Sequence, residues 1–145
     1  MNSKRLLILV LSIPAVALAG FKLPSKIFEV GDLEKAQVEA AAKGKPIAFL
    51  FSNKDSTCPL CSDASSTMIR ELGSKTVMVY VRNVTGLPQS VIKALTPGQY
   101  IPKIAVLDDR LETTLGTVTY EAVKSDSRAA FREVEKAIRD YKKAE

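Results

Sequence analysis

The stretch that decides the fold runs from Lys45 to Cys61: Lys45-Pro46-Ile47-Ala48-Phe49-Leu50-Phe51-Ser52, then Asn53-Lys54-Asp55-Ser56-Thr57, then Cys58-Pro59-Leu60-Cys61. Residues 46–52 are short and almost continuously apolar, the pattern of a strand covered on both faces of its sheet. The next five residues are polar and predict a turn. From Pro59 onward the apolar or small residues Cys61, Ala64, Ser65, Met68, Ile69 and Leu72 recur at helical spacing, and Gly73 closes the segment. Residues 76–82 (TVMVYVR) are apolar and largely β-branched, which predicts a second strand. Strand, helix and strand in about 37 residues make a βαβ unit, so the two strands are expected to run parallel.

Working outward, residues 32–43 (DLEKAQVEAAAK) are rich in helix formers, open on an Asp and stop at Gly44. Residues 88–95 predict a short helix beginning at Pro88. Residues 103–107 (KIAVL) and 113–119 (TTLGTVT) predict strands joined by the turn Asp108-Asp109-Arg110. The last segment places Phe131, Val134, Ile138 and Tyr141 on one stripe, with Asp126 and Ser127 as capping candidates. This order predicts an α/β fold: one domain over residues 20–145, with a central mixed sheet of about four strands and helices on both faces. The 145 residues suffice for one such domain with a real core.

Residues 1–19 read as an address. Lys4 and Arg5 form a positive start, Leu6 to Leu18 is an uncharged run of 13 residues, and Ala17-Leu18-Ala19 supplies a small-x-small cleavage pattern. The run is shorter than the roughly 20 apolar residues of a membrane span and contains Pro14, so the expectation is a cleaved signal peptide, with no span in the mature protein. The mature chain is then expected in the periplasm or outside the cell, where a disulfide persists. Without Lys4 and Arg5 the balance is 19 basic against 16 acidic residues, scattered along the chain. Nucleic-acid binding needs clustered cations on one face with interleaved aromatics, and that pattern is missing.

The chemistry lies in Cys58-Pro59-Leu60-Cys61, at the junction of the buried strand and the following helix. There the first-turn N–H groups and the helix dipole favour a thiolate on the leading sulfur, whose pKa falls below the free-thiol value of about 8.5. Cys61 heads the apolar stripe and is expected to be shielded; Cys58 stands at the helix entrance and is expected to be accessible. Pro59 suits the first helical position, which makes no intrahelical use of its N–H. Cys58 is thus the expected nucleophile and Cys61 the resolving thiol. A structural staple over a two-residue gap closes too small a loop to stabilise much. A zinc site needs four ligands, whereas the chain has two cysteines and no histidine, so no metal is expected.

These residues, together with Tyr100-Ile101-Pro102-Lys103-Ile104-Ala105-Val106-Leu107-Asp108, resemble the thioredoxin superfamily. The resemblance covers residues 28 to 143, and Pro102 lies 41 residues after Cys61, a separation that suits the family. It implies that Cys58 and Cys61 are catalytic and that Pro102 is a cis-proline facing the disulfide. It also implies a substrate-binding surface of Thr57, Pro59, Ile101 and Pro102, with the Ile101 backbone pairing with an extended segment. Thiol–disulfide exchange of this kind uses no cofactor, and the partners it implies are thiols and disulfides of exported proteins plus a separate redox partner. The chain departs from the family in having Thr57 where a Trp is common and Ser52 where many members carry a buried acid. Asp55 reads as a turn former, Lys54 as a solvated loop charge, Met68 and Met78 as core, and Tyr80, Tyr120 and Tyr141 as half-exposed packing. The rival reading is a non-enzymatic binding module of the same fold, with Cys58–Cys61 an inert bridge.

Overall fold

A computed structural model describes residues 21–144, and the expected signal peptide at 1–19 lies outside the described residues. The elements follow in the order β1 (Phe28–Glu29), α1 (Leu33–Lys43), β2 (Ile47–Phe51), α2 (Pro59–Leu72), β3 (Val77–Val81), α3 (Gln89–Ala94), β4 (Lys103–Leu107), β5 (Thr114–Thr119) and α4 (Tyr120–Ala144), with a 3₁₀ turn (Val30–Asp32) before α1. They form one sheet in the order β1-β3-β2-β4-β5. β2 and β3 are parallel, as the βαβ reading expects, and β4 is antiparallel to both β2 and β5. The sheet therefore has five strands rather than four. The addition, β1, pairs only Phe28 with Val79 and Glu29 with Tyr80, and two residues are too few to display an alternation.

Every residue of β3 and β4 is buried, and so are the first four of β2. Side chains of a strand alternate between faces, so a strand buried on both sides needs a core above and a core below. Ile47 and Phe49 of β2 enter one core with Ala36 and Ala40 of α1, Val91 of α3, and Val77 and Val79. Ala48 and Leu50 enter the other with Met68 and Leu72 of α2 and Phe131, Val134 and Ile138 of α4. Helices thus cover both faces, two on each side.

The ends of the helices follow local chemistry. Gly44 closes α1 in the left-handed conformation (φ 57°), its N–H donating to the carbonyls of Ala40 and Ala41, a backbone angle that costs glycine nothing. α4 is interrupted at Asp126, whose φ of −153° and ψ of 95° are not helical. The Asp126 Oδ1 accepts from the Ala129 N–H at 3.0 Å, so this residue caps the second part of α4 as the sequence suggests. Among the described residues no helix is long and apolar enough to cross a membrane.

The break in α4 gives a direct test. Asp126→Ala should lower the free energy of unfolding by about 0.5–2 kcal/mol, whereas Asp126→Asn, which keeps the accepting oxygen, should cost much less. Urea denaturation of the two variants, followed by circular dichroism, reads the difference.

Candidate functional site

The 52–57 turn leaves the carboxyl end of β2 and delivers Cys58 to the start of α2. Cys58 is the N-cap of α2, with extended backbone (φ −76°, ψ 109°), and Pro59 follows in the first turn. The Cys58 Sγ accepts a hydrogen bond from the Cys61 N–H at 3.2 Å, so the sulfur takes one of the donors that a helix start leaves unpaired. The two cysteines form a disulfide across a Cα–Cα distance of 5.3 Å. Both are half-buried, which corrects the expectation of a shielded Cys61 beside an accessible Cys58. The buried face of α2 begins one turn later, at Ala64 and Ser65. What separates the two sulfurs is position: Cys58 caps the helix and receives its N–H, and Cys61 sits inside the first turn.

Pro102 comes from the far side of the sequence. In the β2–β4 register Phe51 pairs with Lys103, so Pro102 lies beside the end of β2 from which the Cys58 turn departs. The Ile101–Pro102 bond is cis, as the resemblance implies, and Pro102 is buried. The mixed five-stranded sheet with helices on both faces is the α/β architecture expected from the sequence. No protein-family model and no curated protein matches the chain. Among solved structures it is similar to the germline-specific thioredoxin Deadhead of Drosophila melanogaster, at 19% identity over 75% of this chain and 99% of that one, with a TM-score of 0.45.

The other expected contact residues flank the cysteines and Pro102 in sequence, and exposed apolar side chains accompany them. Thr57 and Pro59 are exposed, Leu60 is 58% exposed, Tyr100 55% and Ile101 38%. Those last three make up most of the large apolar side chains exposed among the described residues. The Tyr120 ring, edge-on to Tyr100 at 6.4 Å, and Val123 extend the patch along α4, where they line a groove with Leu60, Asp63 and Lys124.

Beneath Cys61 the structure shows how Ser52 is used. Ser52 and Ser65 are buried, and their hydroxyl oxygens are 2.8 Å apart. Ser65 donates to the Cys61 carbonyl at 2.9 Å, so the single proton of Ser52 goes to Ser65. Neither hydroxyl titrates near neutrality, so the pair fixes the first turn of α2 and does not serve as a base. Asp55 is engaged in its turn, its N–H donating to Asn53 Oδ1 and its carboxylate 3.3 Å from the Arg82 guanidinium.

Three supporting residues escaped the sequence reading. Tyr80 is buried at 4% exposure rather than half-exposed. Its hydroxyl donates to the Ser52 carbonyl at 3.0 Å and accepts the Lys54 N–H at 3.0 Å, tying β3 to the turn that carries the cysteines. The signal was available, because a Tyr in a buried strand needs a partner for its hydroxyl. Lys103 is buried and donates to the Gly98 carbonyl at 2.6 Å. Glu121, in the first turn of α4, accepts the N–H groups of Gln99 at 2.8 Å and Tyr100 at 3.2 Å. Its own backbone N–H, and then those of Gln99 and Tyr100, hold its carboxyl below the usual carboxylate range against the opposing effect of burial.

Tyr80→Phe removes both bonds of the hydroxyl and should cost about 1–3 kcal/mol in urea unfolding. Because the Glu121 pKa is lowered by folding, its stabilisation is present above the ordinary Glu range and lost as pH falls through the lowered value. Urea titrations from neutral pH to below 4 should therefore show wild type more stable than Glu121→Gln at the neutral end, the gap closing on acidification.

Proposed function

We propose that the chain belongs to the thioredoxin superfamily and is a thiol–disulfide oxidoreductase acting on exported proteins through Cys58 and Cys61. The observation that carries this reading is the Cys58–Cys61 disulfide at the start of α2, with the Cys58 sulfur as the helix cap and the cis Ile101–Pro102 bond at the same end of the sheet. A helix start favours negative charge on its capping atom, so the reduced form holds Cys58 as thiolate more readily than a free thiol.

In the reducing direction the Cys58 thiolate attacks one sulfur of a substrate disulfide, forming a mixed disulfide and releasing the other sulfur as thiolate. The Cys61 thiolate then attacks Cys58 Sγ, breaking the mixed disulfide and closing the Cys58–Cys61 bond. Two electrons pass from the dithiol to the substrate, and the two protons of the dithiol end on the substrate thiols. The oxidising direction is the same sequence reversed. The pair exchanges back with a separate redox partner, and the sulfurs carry the electrons without a cofactor. Thr57, Pro59, Leu60 and Ile101 offer an apolar rim, and the Ile101 backbone offers an edge for an extended segment. Such a surface suits an unfolded or loop segment bearing cysteine beside apolar side chains. The leader pattern at residues 1–19 supports a site of action on substrates outside the cytoplasm.

Cys61→Ser should leave Cys58 able to attack but unable to release its partner, so mixed disulfides should accumulate in the exported fraction and resolve on non-reducing gels. Cys58→Ser should abolish them. The reduction potential of the pair decides against the rival reading: a value above about −300 mV marks an exchangeable pair, and one far below marks an inert bridge.

A further inference from the structure

The segment that precedes Pro102 has no helix or strand of its own from Pro97 to Ile101, and its residues are exposed. Its position is set by two charged side chains of opposite sign from different elements. From the sheet, the buried Lys103 ammonium donates to the Gly98 carbonyl at 2.6 Å. From the first turn of α4, the Glu121 carboxylate takes the next two N–H groups, those of Gln99 and Tyr100, on its single oxygen Oε1. Hydrogen bonds to an ionised acceptor are roughly twice as strong as neutral ones, and losing this acceptor leaves two donors to find new partners.

The fit around this carboxylate is close. Glu121 is half-buried as a residue, and its Oε2 is screened from solvent. Gly98 has a φ of +80°, and a Cβ there would stand 2.8 Å from Thr119 Cγ2 and 3.0 Å from Glu121 Oε2. The segment therefore passes against the start of α4 at a distance only glycine permits. Thr119 in turn accepts the Ala122 N–H at 3.2 Å and so orients the turn that bears Glu121. The Tyr100 ring meets that of Tyr120 on the same turn.

We propose that Glu121 is a positioning residue for thiol–disulfide exchange: it braces residues 98–101 so that the Ile101 backbone is presented to substrate in fixed register with the Cys58 sulfur. The inference rests on the oxidoreductase reading and adds to it a residue that touches neither sulfur nor substrate. Loss of the brace acts on docking and leaves the reactivity of the Cys58 thiolate alone, because the helix start that favours the thiolate belongs to α2.

The test compares wild type, Glu121→Ala and Glu121→Gln by amide hydrogen exchange, by turnover of insulin disulfides, and by alkylation of reduced Cys58 with iodoacetamide. In Glu121→Ala, exchange at Gln99 and Tyr100 should speed at least about tenfold. KM for insulin should rise about tenfold, with kcat and the Cys58 alkylation rate within about twofold of wild type. Glu121→Gln, whose amide oxygen still accepts, should fall between the two, and it carries the test if the alanine variant does not fold. Unchanged exchange at both amides overturns the proposal, and so does an unchanged KM in a protein that turns over insulin, or a parallel fall in Cys58 alkylation. Wild type that neither reduces insulin disulfides nor oxidises a reduced dithiol peptide sinks the oxidoreductase reading separately; faster exchange at Gln99 and Tyr100 then still upholds the structural brace on residues 98–101.

Discussion

The antiparallel pairing of β2 with β4 is the constraint on which the site depends. Cys58 follows β2 and Pro102 precedes β4, and the register that sets Phe51 opposite Lys103 is what brings them to one end of the sheet. Side chains alternate between faces with a period of two, so a slip by one residue would send the side chains of one strand to the opposite core. Both strands are apolar on both faces, so hydrophobic burial alone discriminates weakly between registers.

Much of this was legible in the sequence because the signals were local. The run Ile47-Ala48-Phe49-Leu50-Phe51, the helical spacing after Pro59 and the stop at Gly44 each depend on neighbours within a few positions, and each element appears where its pattern lies. The stripe Phe131, Val134, Ile138 and the cap at Asp126 were visible for the same reason. What escaped were relations between distant positions. β1 is a strand only because β3 offers it an edge. Glu121 lies 22 residues from Gln99, and nothing in a helix start rich in polar residues marks one carboxylate as holding a loop. The half-burial of Cys61 belongs here too: periodicity places it on the buried stripe, but the buried face of α2 begins only at Ala64.

The polar groups near the disulfide divide into those that hold and those that react. Ser52, Ser65, Tyr80, Lys103 and Glu121 all spend their hydrogen bonds on backbone groups or on one another. None is directed at a sulfur. The helix start supplies the electrostatics of Cys58, and the side chains around it fix the three pieces of backbone that must stay in register: the turn after β2, the first turn of α2, and the segment before Pro102. Chemistry assigned to backbone geometry tolerates side-chain replacement at exposed positions such as Thr57 and Leu60, provided that the supports beneath remain.

The interruption of α4 at Asp126 divides labour along one helix. The turns before it carry Tyr120 and Lys124 to the groove they line with Leu60 and Asp63, and those after it carry Phe131, Val134 and Ile138 into the core. A continuous rod would transmit any adjustment of its first turn as a tilt of the whole, and every apolar contact on that face of the sheet would shift with it. A hinge with its own cap uncouples the two. A change at Tyr120 or Lys124 therefore stays local to the groove, and the packing of Phe131, Val134 and Ile138 below is spared.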